Sequence, residues 1–176
     1  MDALVQYNLP VSGLHDGIHQ FDYEVDTEFF KHFENALIEV ADIKLRLYFD
    51  KRPSLYVLTF EFSGTVQTEC DRCLEVFDLP IEGTEVLMIK FSDEVSEEGD
   101  VVYIPRGTLE LDVSKYVYDY ICLGFPIHKT HDDAGLECDP EMMKYLEPNE
   151  EEEEPEEEES NEGNQLWQAL KNLNKN

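Results

Sequence analysis

A chain of 176 residues, 41% hydrophobic and 11% aromatic, has the material for one domain with a sizeable core and not for two. Its 41 acidic residues against 13 Lys and Arg leave a net charge of −28, which weighs against a protein held to nucleic acid by a broad positive surface. A basic partner, or local contact through a small positive patch, stays open. The opening residues MDALVQYNLPV have no basic n-region or apolar core, and no stretch approaches the roughly 18 apolar residues of a membrane span. The expectation is a cytoplasmic chain without membrane contact.

In chain order, Phe21, Tyr23 and Val25 alternate with polar residues and predict a strand. Asp26 or Thr27 then caps a helix whose apolar stripe is Phe29, Phe30, Phe33 and Leu37. Ile43, Leu45, Leu47 and Phe49 alternate over the next strand, and DKRPS turns it into a hairpin with Leu55–Phe62. Separate strands are expected at Val76–Ile81, Val86–Phe91 and Val101–Ile104, divided by Gly, Pro and acidic clusters. Asp112 caps a second helix, with Val113, Tyr116, Val117, Tyr120 and Ile121 on one face and Pro126 as its stop. The fold class is α+β, mainly antiparallel sheet with two packed helices, over residues 1–146.

Beyond it, residues 147–163 form an acidic, proline-interrupted run expected to act as a disordered tether. It reads either as a solubilising linker or as a lure for a basic protein. In residues 164–176, Leu166, Trp167, Leu170 and Leu173 fall at helical spacing, predicting a short amphipathic helix. Alone such a helix is marginal in water, so it must dock on its own domain or on a partner.

Two features carry chemistry. Cys70-Asp71-Arg72-Cys73 has the spacing of a zinc knuckle, and Cys138 with either His128 or His131 would complete four ligands. The bland alternative is a pair of reduced thiols in a turn beside solvated histidines. A redox role needs a helix starting at the first thiol, whereas LEVFDLPIEG reads as a strand. Cys122 falls on the far side of the second helix and is expected outside the group. The second feature is the basic run Lys44, Arg46, Lys51 and Arg52, with Tyr48 beside it, which suits RNA backbone and base stacking. Its alternative is a solvated strand face whose charges keep an edge from aggregating. The chain has no GxSxG, phosphate-binding Gly loop or HExxH, and no enzyme or small-molecule substrate is expected.

Three pieces, TVQTECDRCLEVFDLPIEG, then LELDVSKYVYDYICLGFPIHKTH with Cys138 beyond it, and the Leu/Trp-rich end, resemble in their order the YceD family of large ribosomal RNA subunit accumulation proteins. The resemblance implies a non-enzymatic factor for accumulation or processing of large-subunit ribosomal RNA. Its partners would be pre-large-subunit components, a basic ribosomal protein or ribosomal RNA. A zinc-stabilised acidic adaptor or chaperone for one basic protein is the alternative.

Overall fold

The structure, a computed structural model, describes residues 4–34 and 36–146. A 3₁₀ turn (Val5–Tyr7) leads into strand β1 (Asn8–Leu9), a second 3₁₀ turn (Val11–Gly13), strand β2 (Gly17–Asp26) and helix α1 (Thr27–Phe30). Strands β3 (Ala41–Lys51), β4 (Leu55–Glu69), β5 (Val76–Phe91), β6 (Ser96–Glu98), β7 (Val101–Ile104) and β8 (Leu111–Asp112) follow. Helix α2 (Ser114–Gly124), a 3₁₀ turn (His131–Ala134) and a helical turn α3 (Pro140–Met143) end the described chain. One six-stranded sheet has the order β2-β3-β4-β5-β7-β6, and β1 pairs with β8 in a separate ribbon. Every pairing is antiparallel except β5 with β7.

The period-two alternation buries one face of this sheet. On β3, Ile43, Leu45, Leu47 and Phe49 are buried, while Asp42, Lys44 and Arg46 between them are exposed. Register carries the apolar row across the sheet: Leu45 lies opposite Phe62, Leu47 opposite Phe60 and Phe49 opposite Leu58. Helix α2 covers the row with Val117, Tyr120 and Ile121, and the ring of Tyr120 meets Phe60 at 5.2 Å. Tyr7 closes another part, stacking on Tyr23 and touching Phe29. Each large side chain buried this way contributes about 1.5–3 kcal/mol before ordering costs.

The two strands expected at Val76–Ile81 and Val86–Phe91 are one strand, β5, paired with β4 from Val76 to Lys90 without interruption. Gly83 does not break it. A methyl group there would run into the ring of Phe62, and one at Gly124 would meet the same ring from the helix side. Phe62, 4% exposed, is thus clamped between sheet and helix, and Gly83 and Gly124 are small because the ring fills their space.

Helix α1 is shorter than its apolar stripe suggests. Asp26 caps it, accepting from the N–H groups of Glu28 and Phe29 at 3.0 and 3.2 Å. The chain then tightens into turns, His32 bonding back to Phe29 and Phe33 to Phe30. Phe29 and Phe30 are buried and Phe33 stacks on Tyr118 at 4.1 Å, but Leu37 is 60% exposed and leaves the stripe. Three bulky rings with little helix propensity are satisfied in two turns, so nothing holds the helix as far as Leu37. Helix α2 starts one residue later than expected: Val113 is its N-cap in place of Asp112, whose carboxylate, one residue ahead, accepts from the Ser114 N–H at 2.9 Å, and the helix stops just before Pro126. Among the described residues no helix is long and apolar enough to cross a membrane. The expected tether at 147–163 and terminal helix at 164–176 lie outside the described residues.

Candidate metal centre

The β4–β5 hairpin ends in the turn that holds the first two thiols. The Cys70 N–H donates to the Glu75 carbonyl and the Leu74 N–H donates back to the Cys70 carbonyl, both at 2.9 Å. Leu74 takes a left-handed conformation at φ 62°, a position where a non-glycine side chain costs about 1–2 kcal/mol. This curl turns both cysteine side chains to the inner side, where Cys70 is fully buried and Cys73 is 4% exposed.

The loop after α2 is fastened onto that turn by polar contacts. The Asp71 N–H donates to the Lys129 carbonyl, and the Lys129 N–H donates to the Asp71 carboxylate, each at 2.7 Å. These contacts, the Lys129 N–H foremost, hold the Asp71 carboxyl below the usual carboxylate range. Arg72 pairs with Asp132 at 2.6 Å. Within the loop, Thr130 and Asp133 form a reciprocal capping box at the start of the 3₁₀ turn, and Gly135 ends it at φ 69°. His131 at the head of that turn is 4% exposed, with Phe77 of β5 against its ring at 4.5 Å.

The result is a group of four donors, Cys70, Cys73, His131 and Cys138, whose ligand atoms all lie within 4.8 Å of one another. Cys70 Sγ is 3.7 Å from Cys138 Sγ, and Cys73 Sγ is 3.3 Å from His131 Nδ1. A tetrahedron with metal–sulfur bonds of zinc length has edges of about 3.8 Å between sulfurs and about 3.5 Å between sulfur and nitrogen. The cluster therefore has the size of such a site, and three thiols with one imidazole are a donor set that suits zinc. All four cysteines are free thiols.

The electrostatics also favour ligation. Burial opposes ionisation of Cys70, but the N–H groups of Cys73, Arg72 and His131 point at its sulfur and together bring the thiol down to about 6. Cys138 is pushed up to about 11 by burial and by its two neighbouring sulfurs. One thiolate is thus prepared, and the third sulfur keeps its proton until a cation compensates the crowding.

Of the histidines weighed from the sequence, the fold brings His131 to the thiols and leaves His128 exposed outside the group. Cys122, half-buried on α2, stays apart as expected. The positioning groups Asp71, Arg72, Lys129 and Asp132 were missed by the sequence reading; the T-x-x-D pattern at Thr130–Asp133 was the one local signal of how the loop is held. Lys44 and Arg46 share the outer face of β3, and three of the four residues of the basic run make contacts within the chain. Arg46 pairs with Asp22 at 2.9 Å and Arg52 with Asp50 at 2.6 Å. Lys51 donates to the carbonyls of Val11 and Leu14, tying down the N-terminal segment. Lys44 is exposed on the outer face of β3. The apolar set Leu166, Trp167, Leu170 and Leu173 lies outside the described residues.

Comparison with curated proteins and with solved structures finds no match. The family model described as large ribosomal RNA subunit accumulation protein YceD matches residues 58–174, a span that runs from β4 through all four donors. With well over half its length matched, and the matched part containing both halves of the cluster, the chain belongs to the YceD family of large ribosomal RNA subunit accumulation proteins.

Proposed function

We propose that the protein is a non-enzymatic factor in biogenesis of the large ribosomal subunit, acting in the cytoplasm through contacts with precursor-particle components. The family match over residues 58–174 carries this reading, since the family's description names accumulation of an RNA rather than a reaction. Zinc held by Cys70, Cys73, His131 and Cys138 serves a structural role. Four protein ligands close the coordination shell and leave no position for substrate. When bound, the ion ties the β4–β5 turn to the loop after α2. Leu166, Trp167, Leu170 and Leu173 supply an apolar anchor for the particle.

Depleting the protein lowers the ratio of large to small subunits and leaves precursors of large-subunit RNA. Normal subunit profiles at several growth temperatures would remove this reading. A second reading, a zinc-stabilised acidic adaptor for one basic protein, is favoured by the surplus of acids over bases. Co-sedimentation with precursor particles at moderate salt separates the two, because an adaptor with no place on the particle stays at the top of the gradient.

A further inference from the structure

The six-stranded sheet has two outer strands, β6 and β2. The β6 edge is three residues long, and its Glu97 is held by Lys115 and Tyr116 of α2. The free stretch of β5 below β7 carries Pro80 and packs against α2 and the His131 turn. Among the described residues the edge of β2 has no proline or bulge; what lies against it is the buried Tyr7, at Tyr23 and Glu24. All ten residues from Gly17 to Asp26 pair with β3 on one side, without a bulge. On the other side, among the described residues, β2 makes no backbone–backbone hydrogen bond; the Tyr7 hydroxyl reaches the Glu24 carbonyl at 3.5 Å. A long, regular edge is a template for another strand, and proteins usually blunt one with lysine, proline or a bulge.

What β2 offers instead is negative charge in alternation. Asp22, Glu24 and Asp26 are exposed on the outer face of the sheet, and the strand has no Lys or Arg. Next to them a groove crosses the outer face, lined among others by Lys44, Arg46, Glu61 and Glu82. On β3, Arg46 is paired with Asp22 and Lys44 stands opposite Glu24, while Asp42, Glu61 and Glu82 leave the surrounding face acidic. A second copy pairing antiparallel along the full edge would set Asp22 directly against Asp22, and a parallel one would bring Asp22, Glu24 and Asp26 each beside its own copy; like charges so placed destabilise a strand pair. Phosphates would meet the same repulsion. Lys or Arg side chains at alternate positions of an incoming strand would face Asp22, Glu24 and Asp26 over the C-terminal half of β2, with Ile18 and Gln20 along the other half.

We propose that the free edge of β2 takes up an extended segment of another protein with Lys or Arg at alternate positions, adding a strand to the sheet. This names a partner class for the assembly role and rests on that role only for the partner's origin; the docking rests on the edge. Main-chain bonds along β2 supply the affinity, while Asp22, Glu24 and Asp26 select the basic side chains. Because the register is set by a period of two, a segment with its charges in one block fits worse than one in which they alternate.

The test uses the full chain and labelled peptides of about nine residues, a common strand length, in which Lys alternates with Val. Two further peptides carry N-methyl groups, one on the odd amides and one on the even. An added strand turns one set of amides toward β2, so one methylated peptide loses at least about tenfold in affinity and the other keeps it. Asp22→Asn with Glu24→Gln weakens binding several-fold, and hydrogen exchange slows at residues 18–26 in the complex. The proposal is overturned if both methylated peptides bind like the parent, or if no peptide binds. It is equally overturned if slowed exchange appears only elsewhere, or if glutamine in place of the glutamates at 150–159 abolishes binding while the β2 substitutions do not. Protection of β2 by an oligoribonucleotide but not by peptide, or by self-association, also sinks it. Normal subunit profiles after depletion would remove the assembly role and leave this binding intact.

Discussion

Cys70 shows how much of the metal centre is prepared by the backbone before any ion arrives. Its thiol, held to about 6 against burial by the N–H groups of Cys73, Arg72 and His131, has a folded pKa below its unfolded one. The stability it contributes is fully present above the ordinary thiol range near 9 and is lost as pH falls through 6. Cys138, raised to about 11, works the other way: its contribution is fully present below 9 and is lost as pH rises toward 11. Protein stripped of metal by a chelator should therefore gain stability from pH 6 to 9 and lose it above 9 through these two thiols, as measured by denaturant unfolding across that range. Metal analysis of freshly purified protein should find one zinc per chain. Cys70→Ser or Cys138→Ser should release it and cost several kcal/mol, since binding energy at a structural zinc is largely folding energy. Cys122→Ser is the control, with zinc content unchanged. Full stability after chelation at neutral pH would discard the site.

The elements meet through two fastenings of different kinds. One is polar: the Asp71 N–H to the Lys129 carbonyl and the Lys129 N–H to the Asp71 carboxylate, with Arg72 and Asp132 beside them, join the β4–β5 turn to the loop after α2. The Arg72–Asp132 pair is exposed at both ends, and such pairs contribute about 0–1 kcal/mol, so its role is orientation more than stability. The other fastening is apolar, the ring of Phe62 between Gly83 and Gly124. With the tip of the ring against Gly83 of the sheet and Gly124 of the helix, it has little room to yield. Gly83→Ala should cost about 1–3 kcal/mol by overpacking, read from the denaturation midpoint. An unchanged midpoint would show that α2 can back away from the sheet. The same substitution should leave zinc content intact, because none of the four donors takes part in this contact.

Over the whole molecule the excess of acid is arranged as well as large. The inner face of the sheet is apolar, the outer face of β2 carries acids without a base, and a further eleven glutamates stand between residues 147 and 162. A field of one sign speeds the approach of a basic partner and is screened by salt, so association should slow as ionic strength rises. Trp167 is the chain's one tryptophan and reports on residues 164–176 directly. Its emission should shift to the blue when precursor particles are added, and Trp167→Ala should weaken particle binding more than replacing several of the glutamates. No shift with a bound particle would rule out the anchor.

The period-two rows of β2, β3 and β4, the Asp26 cap and the CxxC turn were legible in the sequence because each is a local pattern, written within a few residues and read without knowing the rest of the chain. The α+β class followed from them, and so did the cysteine pair and its need for distant ligands. Tertiary structure alone decided the rest. The choice of His131 over His128 depends on the Asp71–Lys129 fastening, which joins segments 58 residues apart. Gly83 looks like a strand break until Phe62 is placed against it, and Lys51 looks like a surface charge until the Val11 and Leu14 carbonyls come within 2.9 and 2.7 Å. That β2 ends the sheet, with no strand beyond it among the described residues, is likewise a fact of strand order, and strand order is settled by packing between segments that no local periodicity records.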